Sequence, residues 1–363
     1  MSVETKSPGY ATRRADARHV QAAPIRRSLV ETFDFGPDPG ELRMLSYVPR
    51  GSARDAALVV VLHGCGQTAQ DYAIGAGWVA LADRLGFALL CPEQRRANNP
   101  GRCFNWFSPL DTHGDCGEAA SVVGMIETML LAHRLDRGRV FISGLSAGGA
   151  LALAMMAAYP RLFAAGAVIA AMPVGAATGM HNAFRAMVQG VCRPARVWGD
   201  QVRGAALGRG PWPRLSVWHG EADATVAPEN ARQIIAQWGD VHGLPAVPTR
   251  TESVGADHHE VWESGAGEPV VELHMLKGLG HGAPLATAGP EGCGRAGPFL
   301  LETGLSSSLE ICRFWGLLDV AELSRVVAMA PLAREAAATQ PARRIGGVRE
   351  LIGRALRVVG LSR

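Results

Sequence analysis

The sequence predicts an α/β fold in which a mostly parallel central sheet carries helices on both faces. Three observations favour it: short apolar runs bounded by turn residues, helix-like segments between those runs, and an alternating hairpin at the start. A strand buried on both faces of a parallel sheet is apolar throughout, whereas a half-buried strand alternates. The chain has 363 residues, of which 48% are hydrophobic and 19% charged, so it is able to bury a large core.

The predicted elements follow in a regular order along the chain. Alternating residues at 28–35 and 42–48, around a Pro- and Gly-rich loop, predict an antiparallel hairpin. Continuous apolar runs then predict buried strands at 57–62, 87–91, 140–143, 165–171, 215–219 and 270–276. Helix-like segments lie between them, at 77–85, 118–135, 147–159 and 228–238. Strands that alternate with helices in this way predict parallel strands joined by crossover helices.

The two ends of the chain differ from this α/β region. Residues 1–27 are interpreted as a flexible basic leader, and residues 319–363 as an Ala- and Arg-rich helical tail. The whole chain has a net charge of +3, and the basic excess lies in the tail, so no basic face for nucleic acid is predicted on the body. Two interpretations of 342–360 stay open: a basic amphipathic helix that docks weakly on a membrane or polymer granule, and a helix packed on the body or frayed.

Targeting signals and cysteines bear on the compartment. The sequence has no apolar run of the roughly 18 residues that a membrane span needs, and the leader lacks the apolar core of a secretory signal. A cytoplasmic location is therefore favoured, with an extracellular one as the alternative. The seven cysteines are scattered and odd in number, so unpaired thiols are the default expectation. A Cys65–Cys103 bridge is the alternative for an exported protein.

The strongest chemical signal is a Gly-x-Ser-x-Gly pattern between a predicted strand and a predicted Ala-rich helix, Gly144-Leu145-Ser146-Ala147-Gly148. A serine on so sharp a turn takes strained backbone angles, and its small neighbours let the strand and helix pass each other. The hydroxyl is then exposed at a helix N-terminus, where free N–H groups favour developing negative charge. We predict that Ser146 is a nucleophile; a loop that merely caps a helix is the alternative.

A serine nucleophile needs a histidine base and an acid that orients the histidine. In folds with this turn the acid and then the histidine follow the serine on loops after later strands. Asp223 follows the predicted strand 215–219, and His281, flanked by glycines, follows the predicted strand 270–276. We predict these two residues as acid and base. Glu221 is the nearest substitute acid, and a turn residue is the alternative role of Asp223.

A glycine-rich turn after the first buried strand, His63-Gly64-Cys65-Gly66-Gln67, is where a donor to an oxyanion is expected. We predict the backbone amides of Cys65 and Ala147 as the two donors. The Cys65 thiol is then incidental or structural. The alternative is that Cys65 is itself a nucleophile paired with His63, which would require a lowered thiol pKa.

Two further groups of residues have competing interpretations. Asn105 and Trp106 follow a polar, Pro- and Gly-containing stretch and are predicted to bind substrate, with Trp106 as a core residue being the alternative. The pair His258-His259 is interpreted as a solvated hairpin tip. No metal site is predicted there, because the sequence has no helical His-x-x-x-His pair beside it.

Several of these motifs together resemble a known family. They are LHGCGQ (62–67), RCFNWF (102–107), GE (117–118), GLSAGG (144–149), WHGEADATV (218–226), GLGHG (278–282) and SSSLEICRFWGL (306–317). In this order the chain resembles the polyhydroxybutyrate-depolymerase-type esterases, α/β-hydrolases that are related to short-chain poly(3-hydroxyalkanoate) depolymerases and to feruloyl or acetylxylan esterases.

The resemblance implies an α/β-hydrolase catalytic domain at 28–318 that hydrolyses an ester or polyester without a cofactor. It implies the triad Ser146, Asp223 and His281, with the oxyanion amides of Cys65 and Ala147. The favoured substrates are poly(3-hydroxybutyrate), hydroxyalkanoate oligomers or related short-chain esters. A feruloyl or acetylxylan esterase is the alternative within this class, and a non-catalytic binding protein with the hydrolase fold is the alternative from another class.

Overall fold

The computed structural model describes residues 28–208, 210–289 and 291–318. The predicted leader at 1–27, the predicted tail at 319–363 and the docking hypothesis for 342–360 lie outside the described residues and stay predictions. Within the described ranges, no helix combines the length and the apolar character that crossing a membrane requires.

A single large sheet occupies the centre of the described chain. Its strands are β1 (Val30–Thr32), β2 (Arg43–Tyr47), β3 (Leu58–Leu62), β4 (Ala88–Glu93), β5 (Val140–Leu145), β6 (Ala165–Ile169), β7 (Arg214–Gly220), β8 (Arg250–Val254), β9 (Asp257–Glu263) and β10 (Pro269–Leu276). They are ordered β1-β2-β4-β3-β5-β6-β7-β10-β9-β8. The strands from β4 to β10 in this order are parallel, and the pairs at both edges are antiparallel. The predicted mostly parallel sheet with an antiparallel start is confirmed.

Helices cover both faces of this sheet. They are α1 (Ala69–Gly75), α2 (Trp78–Leu85), α3 (Pro109–Thr112), α4 (Gly117–His133), α5 (Ala147–Ala158), α6 (Met180–Gln189), α7 (Ala195–Ala205), α8 (Glu229–His242) and α9 (Ser307–Phe314). In β3, Val60 and its alternate neighbours pack with residues of α4, α5 and α8. Val59 and Val61 pack with residues of α1, α2 and α9 on the other face. Because both sides of each strand are buried, these strands are apolar without alternation.

The helix α5 lies directly behind the Gly-x-Ser-x-Gly turn, and all of its residues are buried. Its alanines and glycines let it pack closely against the sheet and the neighbouring helices. A small parallel pair, β11 (Ala283–Leu285) and β12 (Leu300–Glu302), follows the last strand of the large sheet. This pair joins the chain just after His281 to the segment around Phe299.

One sequence-based interpretation is wrong. The turn between β8 and β9 lies at 255–256, so His258 and His259 stand within β9 and do not form a hairpin tip. The polar pattern there is misleading because β9 lies near the sheet edge and its side chains pair with polar residues of β10. The imidazole of His259, for example, lies 3.1 Å from a carboxylate oxygen of Glu272.

Candidate active site

The Gly-x-Ser-x-Gly segment forms a tight turn between β5 and α5. Ser146 has φ 56° and ψ −119°, in a region that side-chain-bearing residues rarely adopt. A Cβ atom at Gly144 would lie 2.3 Å from the carbonyl oxygen of Gly148, and one at Gly148 would lie 2.4 Å from that of Leu62. Both positions therefore require glycine, and the first turn of α5 lies against the end of β3.

The three predicted triad side chains meet at one edge of the sheet. Ser146 follows β5, Asp223 follows β7 and His281 follows β10, and these parallel strands end on the same side. The Nε2 atom of His281 lies 3.1 Å from the Oγ atom of Ser146. The Nδ1 atom of His281 lies 2.7 Å from the Oδ2 atom of Asp223. A hydroxyl, an imidazole and a carboxylate in one hydrogen-bonded row are the arrangement that activates a serine.

The Asp223 carboxylate is buried and well supplied with donors. Its Oδ1 atom accepts hydrogen bonds from the backbone amides of Thr225 at 2.8 Å and Val226 at 2.9 Å. Burial would raise the pKa of Asp223, but its hydrogen bonds with His219 and His281 outweigh burial and lower that pKa below its usual range. The carboxylate is therefore ionised at neutral pH. The substitute acid Glu221 is solvent-exposed.

A second histidine beside the carboxylate escaped the sequence analysis. The Nε2 atom of His219 lies 2.9 Å from the carbonyl oxygen of Val226 and 3.4 Å from the Oδ2 atom of Asp223. Its other ring nitrogen, Nδ1, is buried and has no hydrogen-bond partner among the described residues. The sequence contained one signal for this residue: His219 stands four residues before Asp223, at the end of a predicted strand.

The glycine-rich turn after β3 lies beside the Ser146 turn. Its shape is held by hydrogen bonds from the Gly64 amide to the Gln67 side chain at 2.9 Å and from the Gly66 amide to the Gly101 carbonyl at 2.8 Å. No protein acceptor within the described ranges receives a hydrogen bond from the backbone amides of Cys65 or Ala147. Both N–H groups are therefore available to a ligand oxygen, as an oxyanion hole requires.

The expectation of unpaired thiols is wrong for two cysteines. Cys65 and Cys103 form a disulfide, with Cα atoms 4.3 Å apart, and the other five cysteines are free. The alternative of Cys65 as a nucleophile is thereby excluded, because a disulfide sulfur is not a thiolate. The bridge links the glycine-rich turn to the loop that carries Asn105 and Trp106. The sequence left this pairing open because it depends on two loops that follow different strands.

Removing this disulfide is expected to destabilise the fold. The bridged residues are 38 positions apart, so a Cys65→Ser/Cys103→Ser double variant is expected to lose about 2–4 kcal/mol of unfolding free energy. Urea unfolding of both proteins without reductant measures the difference. A Cys192→Ser variant, which removes an exposed free thiol, is the control and is expected to match the parent. Equal midpoints for the parent and the double variant would contradict the prediction.

A buried glutamate holds the Asn105–Trp106 loop in place. The Oε2 atom of Glu118 accepts a hydrogen bond from the Asn105 amide at 2.9 Å, and Gln94 donates to its other oxygen. Burial raises the pKa of Glu118 to about 8. The Asn105 side chain accepts a hydrogen bond from Asn99 at 3.1 Å. Asn105 therefore serves the internal structure of this loop. Glu118, which stands in the motif GE (117–118) without an assigned role there, is a supporting residue.

Trp106 lines a cavity of about 420 Å³ beside α5. The cavity wall includes Ala150, one helical turn beyond Ser146, and combines apolar side chains such as Phe107 and Val174 with polar ones such as His113 and Asp200. Its volume lies within the range of about 300–1,000 Å³ that is common for small-molecule sites. Asn105 does not belong to the wall. Of the two predicted substrate-binding residues, Trp106 is thus the one that faces an open space near the turn.

One cluster away from the triad contains metal-ligand residue types. Among the described residues, His259, Glu272 and His274 bring three potential ligand atoms within 4.8 Å of one another. The two imidazole rings, however, are stacked with centroids 3.9 Å apart and an interplanar angle of 11°. A metal lies in the plane of each imidazole that binds it, so two stacked rings do not converge on one ion in this arrangement. The cluster is a hydrogen-bonded network, in which Asp257 holds His274 at 2.9 Å.

Comparison with known proteins identifies the family of the chain. The model of the family described as Esterase PHB depolymerase matches residues 42–261. The chain is 41% identical over 293 residues to poly(3-hydroxyalkanoate) depolymerase C of Paucimonas lemoignei, covering 80% of this chain and 70% of that protein. It is 34% identical to feruloyl esterase B of Thermothelomyces thermophilus, over 61% of this chain and 77% of that one.

Two acetylxylan esterases extend the comparison. The chain is 32% identical to the acetylxylan esterase of Coprinopsis cinerea, over 70% of this chain and 69% of that one. The solved structure of acetyl xylan esterase from Aspergillus awamori superposes with a TM-score of 0.68 at 24% identity, over 80% of this chain and all of that one, which supports the fold. The chain belongs to the Esterase PHB depolymerase family and is a carboxylic-ester hydrolase with the α/β-hydrolase fold.

Proposed function

We propose that the protein hydrolyses esters through a Ser146–His281–Asp223 triad and a covalent acyl-enzyme, with the amides of Cys65 and Ala147 as the oxyanion hole. The observation that carries this proposal is the continuous hydrogen-bonded row, 3.1 Å from Ser146 to His281 and 2.7 Å from His281 to Asp223.

Acylation begins when Ser146 attacks the ester carbonyl. The Oγ–H proton passes to Nε2 of His281 as the Oγ–C bond forms, and the carbonyl electron pair moves onto oxygen. The Cys65 and Ala147 amides stabilise this oxyanion, and the ionised Asp223 stabilises the imidazolium. When the oxyanion collapses, the bond from carbon to the alcohol oxygen breaks, and His281 gives its proton to the departing alcohol. The acyl group remains on Ser146.

Deacylation repeats these steps with water in place of Ser146. His281 takes a proton from water as the water oxygen attacks the acyl carbon, and a second oxyanion forms in the same hole. Its collapse breaks the bond to Oγ and releases the carboxylic acid, while His281 returns the proton to Ser146. Each cycle consumes one ester bond and one water molecule and releases one alcohol and one carboxylic acid, and the triad carries every proton transfer without a cofactor.

We propose hydroxyalkanoate esters, as oligomers or as poly(3-hydroxybutyrate), as the substrate class. The support is the 41% identity to a poly(3-hydroxyalkanoate) depolymerase over 80% of this chain. The cavity that Trp106 lines includes Ala150, one helical turn beyond Ser146, and we propose Trp106 as a substrate-contacting residue on its wall. The second candidate is a feruloyl or acetylxylan esterase, which the matches at 34% and 32% identity favour.

A substrate panel separates these candidates. Initial rates are measured by pH-stat titration on 3-hydroxybutyrate trimers and poly(3-hydroxybutyrate) film, and on methyl ferulate and acetylated xylan. We expect kcat/KM for the hydroxybutyrate trimer to exceed that for methyl ferulate by about 10-fold or more, since pocket discrimination between such groups amounts to about 10–200-fold. Faster turnover of methyl ferulate or acetylated xylan than of the trimer would replace the first candidate with the second.

A further inference from the structure

An aromatic residue from a distant part of the chain lies against the His281 ring. The Phe299 ring contacts it edge to face, with centroids 5.8 Å apart and an interplanar angle of 77°. Phe299 is half-buried, so it is not sealed inside the core. Its backbone has φ 61°, in the left-handed region that bulky side chains avoid. Such conformations persist only where the surrounding structure imposes them, and they cluster at ligand sites.

The surrounding structure ties Phe299 to both sides of the candidate active site. Gln67, in the turn that carries the Cys65 amide, donates a hydrogen bond to the Pro298 carbonyl at 3.1 Å. The Phe299 carbonyl accepts a hydrogen bond from the Ala283 amide at 2.9 Å, just after His281. A Cβ atom at Gly282 would lie 2.8 Å from that carbonyl oxygen, so the two segments touch backbone to backbone. The ring is therefore held between the oxyanion turn and the histidine.

Phe299 lies apart from the Trp106 cavity. Phe299 packs with the apolar cluster that includes residues of α1, α2 and α9. Trp106 packs with Ala150 and Met172 in another cluster, beside α5. Neither His281 nor Phe299 belongs to the wall of the 420 Å³ cavity. The Phe299 ring and the cavity that Trp106 lines are therefore two separate surfaces.

We propose that Phe299 is a specificity-determining residue that forms the apolar wall for the alcohol part of the ester. This inference rests on the proposed function, in which His281 protonates the departing alcohol through Nε2. The alcohol oxygen must approach that nitrogen, so the carbon atoms attached to it pass beside the ring that covers His281. In a hydroxyalkanoate oligomer, this part is the next hydroxyacid unit.

Two ester series test the assignment. The alcohol series contains methyl, propyl and benzyl butyrate, and the acyl series contains p-nitrophenyl acetate, butyrate and hexanoate. Phe299→Gly removes the ring and suits the left-handed backbone, whereas Phe299→Leu keeps an apolar side chain. Phe33→Gly, at a phenylalanine that is 85% exposed just after the edge strand β1, is the matched control. Thermal unfolding verifies that each variant is folded.

The inference predicts a change confined to the alcohol series. In Phe299→Gly the ratio of kcat/KM for benzyl over methyl butyrate is expected to fall about 10-fold, with a smaller fall in Phe299→Leu and none in Phe33→Gly. The ratios within the acyl series are expected to stay constant. An unchanged benzyl-to-methyl ratio, or an equal loss for every ester, would overturn the inference. Failure of the parent protein on both series would instead overturn the proposed function.

Discussion

Replacing Ser146 with alanine is expected to lower kcat for p-nitrophenyl butyrate by a factor on the order of 10⁶. Without Oγ no acyl-enzyme forms, and the two oxyanion amides and the binding surfaces supply the remaining rate. The side chains differ by one oxygen atom, so the turn and the fold are expected to persist. Steady-state assays together with thermal unfolding measure the two effects separately.

Ser143 provides a matched control three residues earlier, in β5. Its hydroxyl is buried and has no hydrogen-bond partner among the described residues, so Ser143→Ala makes the same chemical change away from the triad. We expect this variant to keep its activity. Reaction with diethyl p-nitrophenyl phosphate, followed by mass spectrometry, is expected to label the parent protein and Ser143→Ala but not Ser146→Ala. Turnover by Ser146→Ala near that of the parent would refute the assignment.

Replacing Asp223 with asparagine is expected to lower kcat about 10⁴-fold. The backbone amides of Thr225 and Val226 both donate to Oδ1, so the amide oxygen of an asparagine is expected to occupy that position. Its NH₂ group then faces His281 and donates to Nδ1. The histidine is forced into the tautomer that carries its proton on Nε2, which cannot accept the Ser146 proton.

Glu221→Gln is the control for this second experiment. Glu221 is exposed, and it was the nearest substitute acid in the sequence. We expect its amide variant to keep the activity of the parent on p-nitrophenyl butyrate. A large loss in Glu221→Gln with near-normal turnover in Asp223→Asn would transfer the orienting role to Glu221.

The central part of the fold was predictable because its signals are local. The apolar runs matched β3 to β7 and β10, since a strand covered on both faces has no polar positions. The strand β9, which lies next to the edge strand β8, was missed because its polar side chains pair with those of β10, and such pairing leaves no apolar pattern. The helix predicted at 228–238 is α8, which continues to His242. It ends there because Gly243 takes the left-handed conformation that commonly terminates a helix.

The supporting residues of the site were less predictable than the triad. His219 lies beside Asp223, Phe299 lies beside His281, and Glu118 holds the loop of Asn105. The importance of each contact is recognisable only once the neighbouring residue has been assigned to the site. The Cys65–Cys103 bridge also depends on two loops that approach each other only in the folded chain. Glu118 and His219 do stand in the motifs GE (117–118) and WHGEADATV (218–226), but a motif by itself does not assign either of them a role.

The sequence by itself determined where strained turns and buried strands occur, because steric crowding and solvent exclusion act between neighbours in the chain. Ser146 between Gly144 and Gly148 is the clearest case. The tertiary structure decided which acid and which base reach that serine. His281 stands 135 residues from Ser146 and 58 from Asp223, so their distances depend on the order of the strands in the sheet. The wall formed by Phe299 depends likewise on the pairing of β11 with β12.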